Sequence, residues 1–338
     1  MTLLSLPAPS SGHDSTVDLV SLCPGDQLDT TLRICGIEQR FAGDKPFAVL
    51  TVGNCTGELA TAPFWTEELP RLAGLGKGQL VDVTGELTTY RGSRQLRISS
   101  IARSQLSSID WGLFLPSVGD VSGYWKILDA WRHAIAGPRL RDTLSLFYDD
   151  PIFRQRYQEC PASLHGHHSA LGGLLRHTWE VAGIARAVSR TCPADCDLVL
   201  AGVLLHDIGK IAAYRWDGIF EYTTPGHLQG HVVLGALMLE NRVRGREQAP
   251  CTDEELLTLH HLILSHHGRL EYGAPVQPMT LEAEILHYAD NASAKSASMA
   301  DALTDTDNFT EDEVVSTRGV WQVERRRICR AVHHWGKL

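Results

Sequence analysis

The residues able to do chemistry centre on one stretch, Leu200–Lys210, which reads LAGVLLHDIGK. An apolar run from Leu198 to Leu205 ends in His206 and Asp207, followed by Ile208, Gly209 and Lys210. The run reads as a buried helix, with Asp197 as its N-cap and Gly209 as its terminator. A histidine and an aspartate at the end of an apolar helix are costly to bury unless something pairs with them. A metal is the economical partner. An imidazole offers one nitrogen, and a carboxylate offers two oxygens that can bridge two cations. Lys210, one short turn further on, is placed to meet an anionic substrate.

An adjacent His-Asp pair is often no more than a helix end, so the neighbouring segments decide its meaning. GGLLRHTWEVAGIARAVSR is helical, with an apolar face of Leu174, Val181, Ile184 and Val188, and His177 falls on that face. GHLQGHVVLGALMLE puts His231 at the start of a helix carrying Leu234 and Met238, with His227 one turn earlier in a loop. In EELLTLHHLILSHHG the spacing of Leu256, Leu259, Ile263 and His266 turns His266 inward, while His260 and His261 read as surface or outer residues. LEAEILHYADN places Asp290 four residues after Leu286, again towards the core. His177, His206, Asp207, His231, His266 and Asp290 thus form a set that core packing does not produce. The set suits two divalent cations bridged by Asp207, one completed by His177, His206 and Asp290, the other by His231 and His266. Nitrogen and oxygen donors point to Mn, Fe, Ni, Zn or Mg. Two such cations can activate a water and stabilise both oxygens of an in-line displacement at phosphorus.

These helices need a frame. The chain has 338 residues, 43% of them hydrophobic, enough for two domains with real cores. The net charge of −9 excludes a generally basic nucleic-acid coat but leaves room for a local basic groove. The eight cysteines are scattered and contain no C-x-x-C, as expected for reduced thiols in a cytoplasmic protein. No run approaches ~18 apolar residues, so no membrane span is expected. Residues 1–16 read as a flexible tail.

From 17 to 106 the texture is β. RICGIEQRF, PFAVLTVGN, ELATAPFW, LVDVTGEL and QLRISSIAR are short runs rich in β-branched and aromatic residues. A hairpin turn lies at Tyr90–Arg94 and a glycine-rich break at Gly74–Gly78. Five such strands suit a small OB-like barrel. Barrels of this kind stack single-stranded bases on aromatics in a positive groove. The candidates are Phe47, Phe64, Trp65 and Tyr90, with Arg91, Arg94 and Arg97 on the last hairpin; residue by residue the plainer reading is favoured, in which Phe47 and Phe64 are core and the arginines a solvated strand face. Residues 107–160 read as a helical connector broken at Gly137-Pro138 and Asp150-Pro151. Residues 161–300 hold the ligand set, and 301–338 form a C-terminal segment in which Arg325–Arg327 read as a solvated helix face. The expected fold is therefore multidomain, an N-terminal β-barrel followed by an all-α bundle.

The pattern H…HD…H…H…D on helices resembles the HD-domain metal-dependent phosphohydrolases. HHSALGGLLRHT, LAGVLLHDIGK, TTPGHLQGH and LILSHHGRLEYGAPVQPMTLEAEILHYAD are similar, stretch by stretch, to the YhaM-type exoribonucleases, which also join an OB-like barrel to an HD domain. The likeness spans nearly the whole chain and is strongest from about Pro161 to Lys295. It implies 3′-to-5′ hydrolysis of single-stranded RNA, with single-stranded DNA as a further substrate, release of mononucleotides and a preference for manganese. It makes the six residues metal ligands, with Asp207 at the catalytic centre. It turns His168 towards the substrate as a proton donor for the leaving oxygen and lets Lys210 steady the phosphate. His267 and Glu271 would line the substrate edge of the site. Ser293 stands where the family commonly carries a further acidic residue. Families of this kind often assemble, so a homo-oligomer is expected. Three other readings remain at this stage: a phosphohydrolase of small nucleotides, a nucleic-acid-binding protein with a vestigial site, and a di-iron oxygenase of HD type.

Overall fold

The computed structural model describes residues 16–310 and 313–330. Of the tail expected at 1–16, all but Thr16 lies outside the described residues. The chain divides into two compact units. One takes the described residues up to Gly119 together with Arg215–Glu221, and the other takes Asp120–Tyr214 and the residues from Tyr222 onward.

The first unit contains β1 (Gln27–Ala42), β2 (Lys45–Asn54), β3 (Gly57–Ala60), β4 (Phe64–Trp65), β5 (Leu80–Tyr90) and β6 (Ser93–Arg103). The antiparallel order is β3-β2-β1-β5-β6, with β4 paired to β2. A parallel bridge between Thr61 and Leu96 joins the two ends of this path, and Ala62 N donates to Leu96 O at 2.9 Å. That order and closure make the barrel OB-like. Alternation drives it: along β5, Val81, Val83 and Leu87 are buried while Asp82 and Thr84 face out. Leu69 and Leu72 of a short 3₁₀ turn, with Leu75, pack against the barrel core. The β5–β6 turn is two residues long, Arg91 at φ 49 and Gly92 at φ 83, the conformation a tight hairpin requires.

The second unit is helical: α1 (Ser122–His133), α2 (Pro138–Tyr148), α3 (Pro151–Glu159), α4 (Gly173–Ser189), α5 (Cys196–Leu205), α6 (Lys210–Ala213), α7 (Thr224–Arg244), α8 (Asp253–Ser265) and α9 (Leu281–Thr304). A two-strand hairpin, β7 (Tyr214–Arg215) and β8 (Glu221–Tyr222), interrupts it. α5 is the hub. Every residue from Val199 to Leu205 is buried, and α2, α4, α8 and α9 all pack on it. A helix whose last seven residues are all apolar and buried needs walls on every side, and the segment expected as a connector supplies one of them. Tyr148 donates to Leu204 O at 2.7 Å, satisfying a carbonyl at the end of α5, and Tyr157 Oη lies 2.6 Å from Thr178 Oγ1 of α4. The expected break at Asp150-Pro151 is also a helix start: Pro151 is the first residue of α3 and Asp150 caps it.

Two local expectations change. The buried stripe of α4 follows Leu174, His177, Val181, Ala185 and Ser189, while Val188 is exposed, because the stripe drifts with the 3.6-residue period. Arg325–Arg327 are exposed but not helical: Arg325 takes φ 58 in a turn, and Arg326 bridges Val320 over a small core of Ala302, Phe309, Val323 and Ile328.

Candidate functional site

The cap of α5 is Asp195, not Asp197. Its side chain accepts from Asp197 N at 3.0 Å and Leu198 N at 3.1 Å, while Asp197 accepts from Ala136 N at 2.8 Å. Nor does Gly209 end the helix by a left-handed turn, since its φ is −67. A Cβ there would lie 2.0 Å from His231 O and 2.4 Å from Gly235 N, so glycine is needed for the close approach of α7. α7 itself breaks at Gly230 (φ 72), which starts a fresh helical segment at His231.

Asp207, 1% exposed, stands at the centre of the site. Its Oδ2 lies 3.6 Å from His177 Nε2 and 3.2 Å from His206 Nε2. Its Oδ1 lies 3.3 Å from His231 Nε2 and 3.7 Å from His266 Nε2. Asp290 Oδ1 is 3.0 Å from His177 Nε2. The other ring nitrogens fix what these atoms present. His206 Nδ1 meets Val203 O at 2.7 Å, His266 Nδ1 meets Ile263 O at 2.6 Å, and His267 Nδ1 meets Tyr272 O at 2.8 Å. A carbonyl only accepts, so each Nδ1 carries the proton and each Nε2 presents a lone pair.

Lone pairs facing a carboxylate are an electrostatic debt. His206 Nε2, Asp207 Oδ1, His231 Nε2 and His266 Nε2 are all buried with no hydrogen-bond partner. A divalent cation satisfies such atoms, and the donor set fits one on each side of Asp207. His177, His206 and Asp207 offer ligand atoms within 4.8 Å of one another, and so do His231, His266 and His267. His267, expected at the substrate edge, thus stands with the second group. Protonation states agree for His231 and His266 and differ for His206, where burial lowers the imidazole but the Asp207 carboxylate outweighs it and raises it above the ordinary value. Burial holds His231 down to about 3 and His266 well below its ordinary value, so both are neutral near pH 7. Burial pushes the carboxyl of Asp207 up, but Lys210 and His206 outweigh it and hold it well below the usual range. Asp290 is lowered too, with the hydrogen bond to His177 opposing burial.

Lys210 does not reach outward. Its buried ammonium turns back to donate to Asp207 Oδ2 at 2.6 Å, which corrects the expectation of a free phosphate ligand. His168 is nearly enclosed, and its Nε2 lies 2.8 Å from Glu180 Oε2. His167 is its neighbour, with ring centres 5.8 Å apart, and stands 5.7 Å from the ring of His177. Burial lowers His167 to about 3. Glu271 is exposed and faces Arg269 at 3.6 Å. A cavity of about 220 Å³ beside Asp290 is lined by His267, Tyr272, His287, Asn291 and Lys295.

On the barrel, Phe64 is core, only 3% exposed, so it offers no stacking face. Trp65 is 43% exposed and leans on Phe47 with ring centres 5.0 Å apart. Tyr90 is 58% exposed, with the Arg91 guanidinium over its ring at 5.3 Å. Arg94 is a brace: it donates to Leu19 O at 2.6 Å and Val20 O at 3.0 Å, so those donors are spent on backbone. Arg97 is exposed on β6.

Sequence reasoning missed Glu180 and His167 in the helical unit and Phe41, 72% exposed, on the β1–β2 hairpin, and it noted Ser293 only as a departure from the family pattern. Glu180 is three residues after His177, and Ser293 is three after Asp290. That helical spacing was the available signal.

Comparison with known proteins agrees with this geometry. The HD domain family matches residues 174–295, which hold all six expected ligands. The 3′-5′ exoribonuclease YhaM of Bacillus subtilis (strain 168) is 30% identical over 283 residues, covering 82% of this chain and 88% of the relative. The YhaM of Bacillus licheniformis is 32% identical over 286 residues, with 82% and 88% covered. The YhaM of Geobacillus sp. (strain WCH70) is 30% identical over 275 residues, covering 80% of this chain and 83% of the relative. Among solved structures, the second OB-fold domain of replication protein A from Methanococcus maripaludis covers 28% of this chain and 98% of its own, at 14% identity and a TM-score of 0.22. The strand order, not that likeness, carries the barrel assignment. Among the described residues no helix is long and apolar enough to cross a membrane. An HD motif whose ligands converge on Asp207, attached to an OB-like barrel and matched along most of its length by these relatives, makes the chain a member of the YhaM 3′-5′ exoribonuclease family.

Proposed function

We propose that the chain is a metal-dependent exonuclease that removes mononucleotides from the 3′ end of single-stranded RNA, and of single-stranded DNA as a second substrate. The observation that carries this is Asp207, whose two oxygens face two separate pairs of histidine nitrogens. His177, His206, Asp207 and Asp290 would hold one divalent ion, and His231 and His266, with His267 beside them, the other. Nitrogen and oxygen donors with no thiolate admit Mn, Fe, Ni, Zn or Mg, and we favour manganese because the family resemblance implies it. When bound, such a pair supplies the Lewis-acid charge that makes water attack at phosphorus feasible near neutral pH.

The chain's own residues do the rest. Water adds to the terminal phosphodiester, the bond to the upstream 3′ oxygen breaks, and that oxygen takes a proton. We assign that proton to His168, whose ring centre stands 6.2 Å from that of His177 and whose Nε2 is anchored by Glu180. Lys210, whose charge is favoured by Asp207 against the penalty of burial, keeps a fixed positive charge at the cluster. The cavity beside Asp290 suits the terminal nucleotide, with Tyr272 as a stacking ring and Asn291 and Lys295 as polar partners. Trp65, Tyr90 and Arg91, rather than Phe64 and Arg94, would hold the strand on the barrel. All eight cysteines are free thiols, in keeping with a cytoplasmic enzyme.

The test is a time course on a 5′-labelled single-stranded oligoribonucleotide with manganese, with chelator, and with the Asp207→Ala protein. A metal-dependent ladder shortening from the 3′ end, absent from the variant, is the expected result. An intact oligonucleotide alongside hydrolysis of free or cyclic nucleotides would replace this reading with a small-nucleotide phosphohydrolase.

A further inference from the structure

A buried hydrogen-bonded chain runs outward from the cluster. His177 Nδ1 lies 3.1 Å from Ser293 Oγ, and Ser293 Oγ donates to Glu180 Oε2 at 2.9 Å. The same carboxylate oxygen meets His168 Nε2 at 2.8 Å, and Arg176 Nε donates to Oε1 at 3.0 Å. His177 and Ser293 are each 1% exposed.

We propose that Glu180 is a positioning residue: acting through the Ser293 hydroxyl, its carboxylate holds His177 in the tautomer whose Nε2 lone pair faces the metal cluster. This rests on the reading of His177 as a metal ligand. His177 needs such a device where His206 and His266 do not. His206 and His266 set their Nδ1 protons against backbone carbonyls, which can only accept. His177 faces a hydroxyl, which can donate or accept, so its tautomer is open until something claims the serine proton. Asp290 pulls the wrong way. Its Oδ1, 3.0 Å from His177 Nε2, would draw the imidazole proton onto the ligand atom. Glu180 is an acceptor without a proton of its own. By taking the Ser293 proton it leaves the hydroxyl only a lone pair to offer, so His177 must donate from Nδ1 and Nε2 is bare. Arg176 and His168 fix the carboxylate from its other sides, so the polarity of the whole chain is set at Glu180.

The experiment compares wild type, Glu180→Gln, Ser293→Ala, their double variant and Asp207→Ala, each metal-stripped and checked by thermal melting. Manganese is titrated calorimetrically, and the His177 ring is read in long-range ¹H–¹⁵N spectra of the metal-free protein. Glu180→Gln and Ser293→Ala are each expected to weaken manganese binding by about 10- to 100-fold. The double variant should be no weaker than the worse single, because both cut the same chain. In Ser293→Ala the His177 signal should change from the Nδ1-protonated to the Nε2-protonated pattern. Additive losses, or a His177 tautomer unchanged in both singles, overturn the proposal. If Asp207→Ala loses manganese while Glu180→Gln and Ser293→Ala bind as wild type, the positioning role alone falls. If Asp207→Ala binds as wild type, the metal reading falls with it. Ser293→Ala removes a single atom, so the proposal stays testable should Glu180→Gln melt early.

Discussion

The two units treat polar groups in opposite ways. In the helical unit, ring nitrogens and a carboxylate oxygen around Asp207 are buried with nothing to receive them. On the barrel, several cations are already matched: Arg33 with Glu58, Arg40 with Glu38, Arg71 with Glu68, and Arg94 with two carbonyls. What the barrel leaves unmatched is aromatic surface at Trp65, Tyr90 and Phe41. An unmet electrostatic demand in a low-dielectric interior gives a cation site that depends on every ligand. Exposed rings give a grip that accumulates in small, separable steps. Substitutions should therefore be near all-or-none in one region and graded in the other.

The largest effect belongs to Asp207. Asp207→Ala should reduce manganese affinity by more than about 100-fold, since changes one shell further out already cost 10- to 100-fold. It should also bring hydrolysis to background, read by calorimetry and by the oligonucleotide ladder. Neighbouring Phe64 and Trp65 sharpen the contrast within the barrel. Phe64→Ala should cost about 3–5 kcal/mol of stability in denaturant unfolding, because it opens the core. Trp65→Ala and Tyr90→Ala should leave stability nearly unchanged and weaken RNA binding by about 1–3 kcal/mol each, measured by fluorescence anisotropy. Equal binding losses from Phe64→Ala in fully folded protein would break the distinction.

Gly209→Ala tests the frame of the cluster without touching a ligand. Its Cβ would meet His231 O at 2.0 Å, so α7 must shift, at a cost of about 1–3 kcal/mol in denaturant unfolding. The smallest effect is on pH. Burial alone would raise the Glu180 carboxyl, but His168, Ser293 and Arg176 lower it from 4.5 to about 2. A folded value below the unfolded one stabilises the fold above the unfolded value, and that contribution is lost as pH falls from 4.5 towards 2. Glu180→Gln should flatten this acid limb in denaturant midpoints, and an unchanged limb would remove Glu180 from its cause.

Much of the site was legible because ligands on helices leave a periodic trace. His177, His266 and Asp290 each sat on an apolar face, and that spacing was enough to turn them inward. The same arithmetic fell short for the barrel aromatics, where it favoured a core Phe64 without fixing it. Phe64 and Trp65 are adjacent and chemically alike, and strand alternation does not say which one faces the core. It failed too for Lys210 and Arg94, whose cationic ends are claimed by Asp207 and by the carbonyls of Leu19 and Val20. A long flexible side chain carries no periodicity to betray its partner.

Residue type and spacing by themselves determined the two-part architecture, the candidate ligand set and the metal-dependent class of chemistry. These follow from short-range rules of hydrophobic period and donor type. Only the tertiary structure decided that Gly209 serves a backbone crossing, that Asp195 caps α5, and that Glu180 reaches His177 through Ser293. Those depend on which backbones approach and which proton goes to which oxygen. Both are set by groups far apart in the chain, such as Glu180 and Ser293, 113 positions apart.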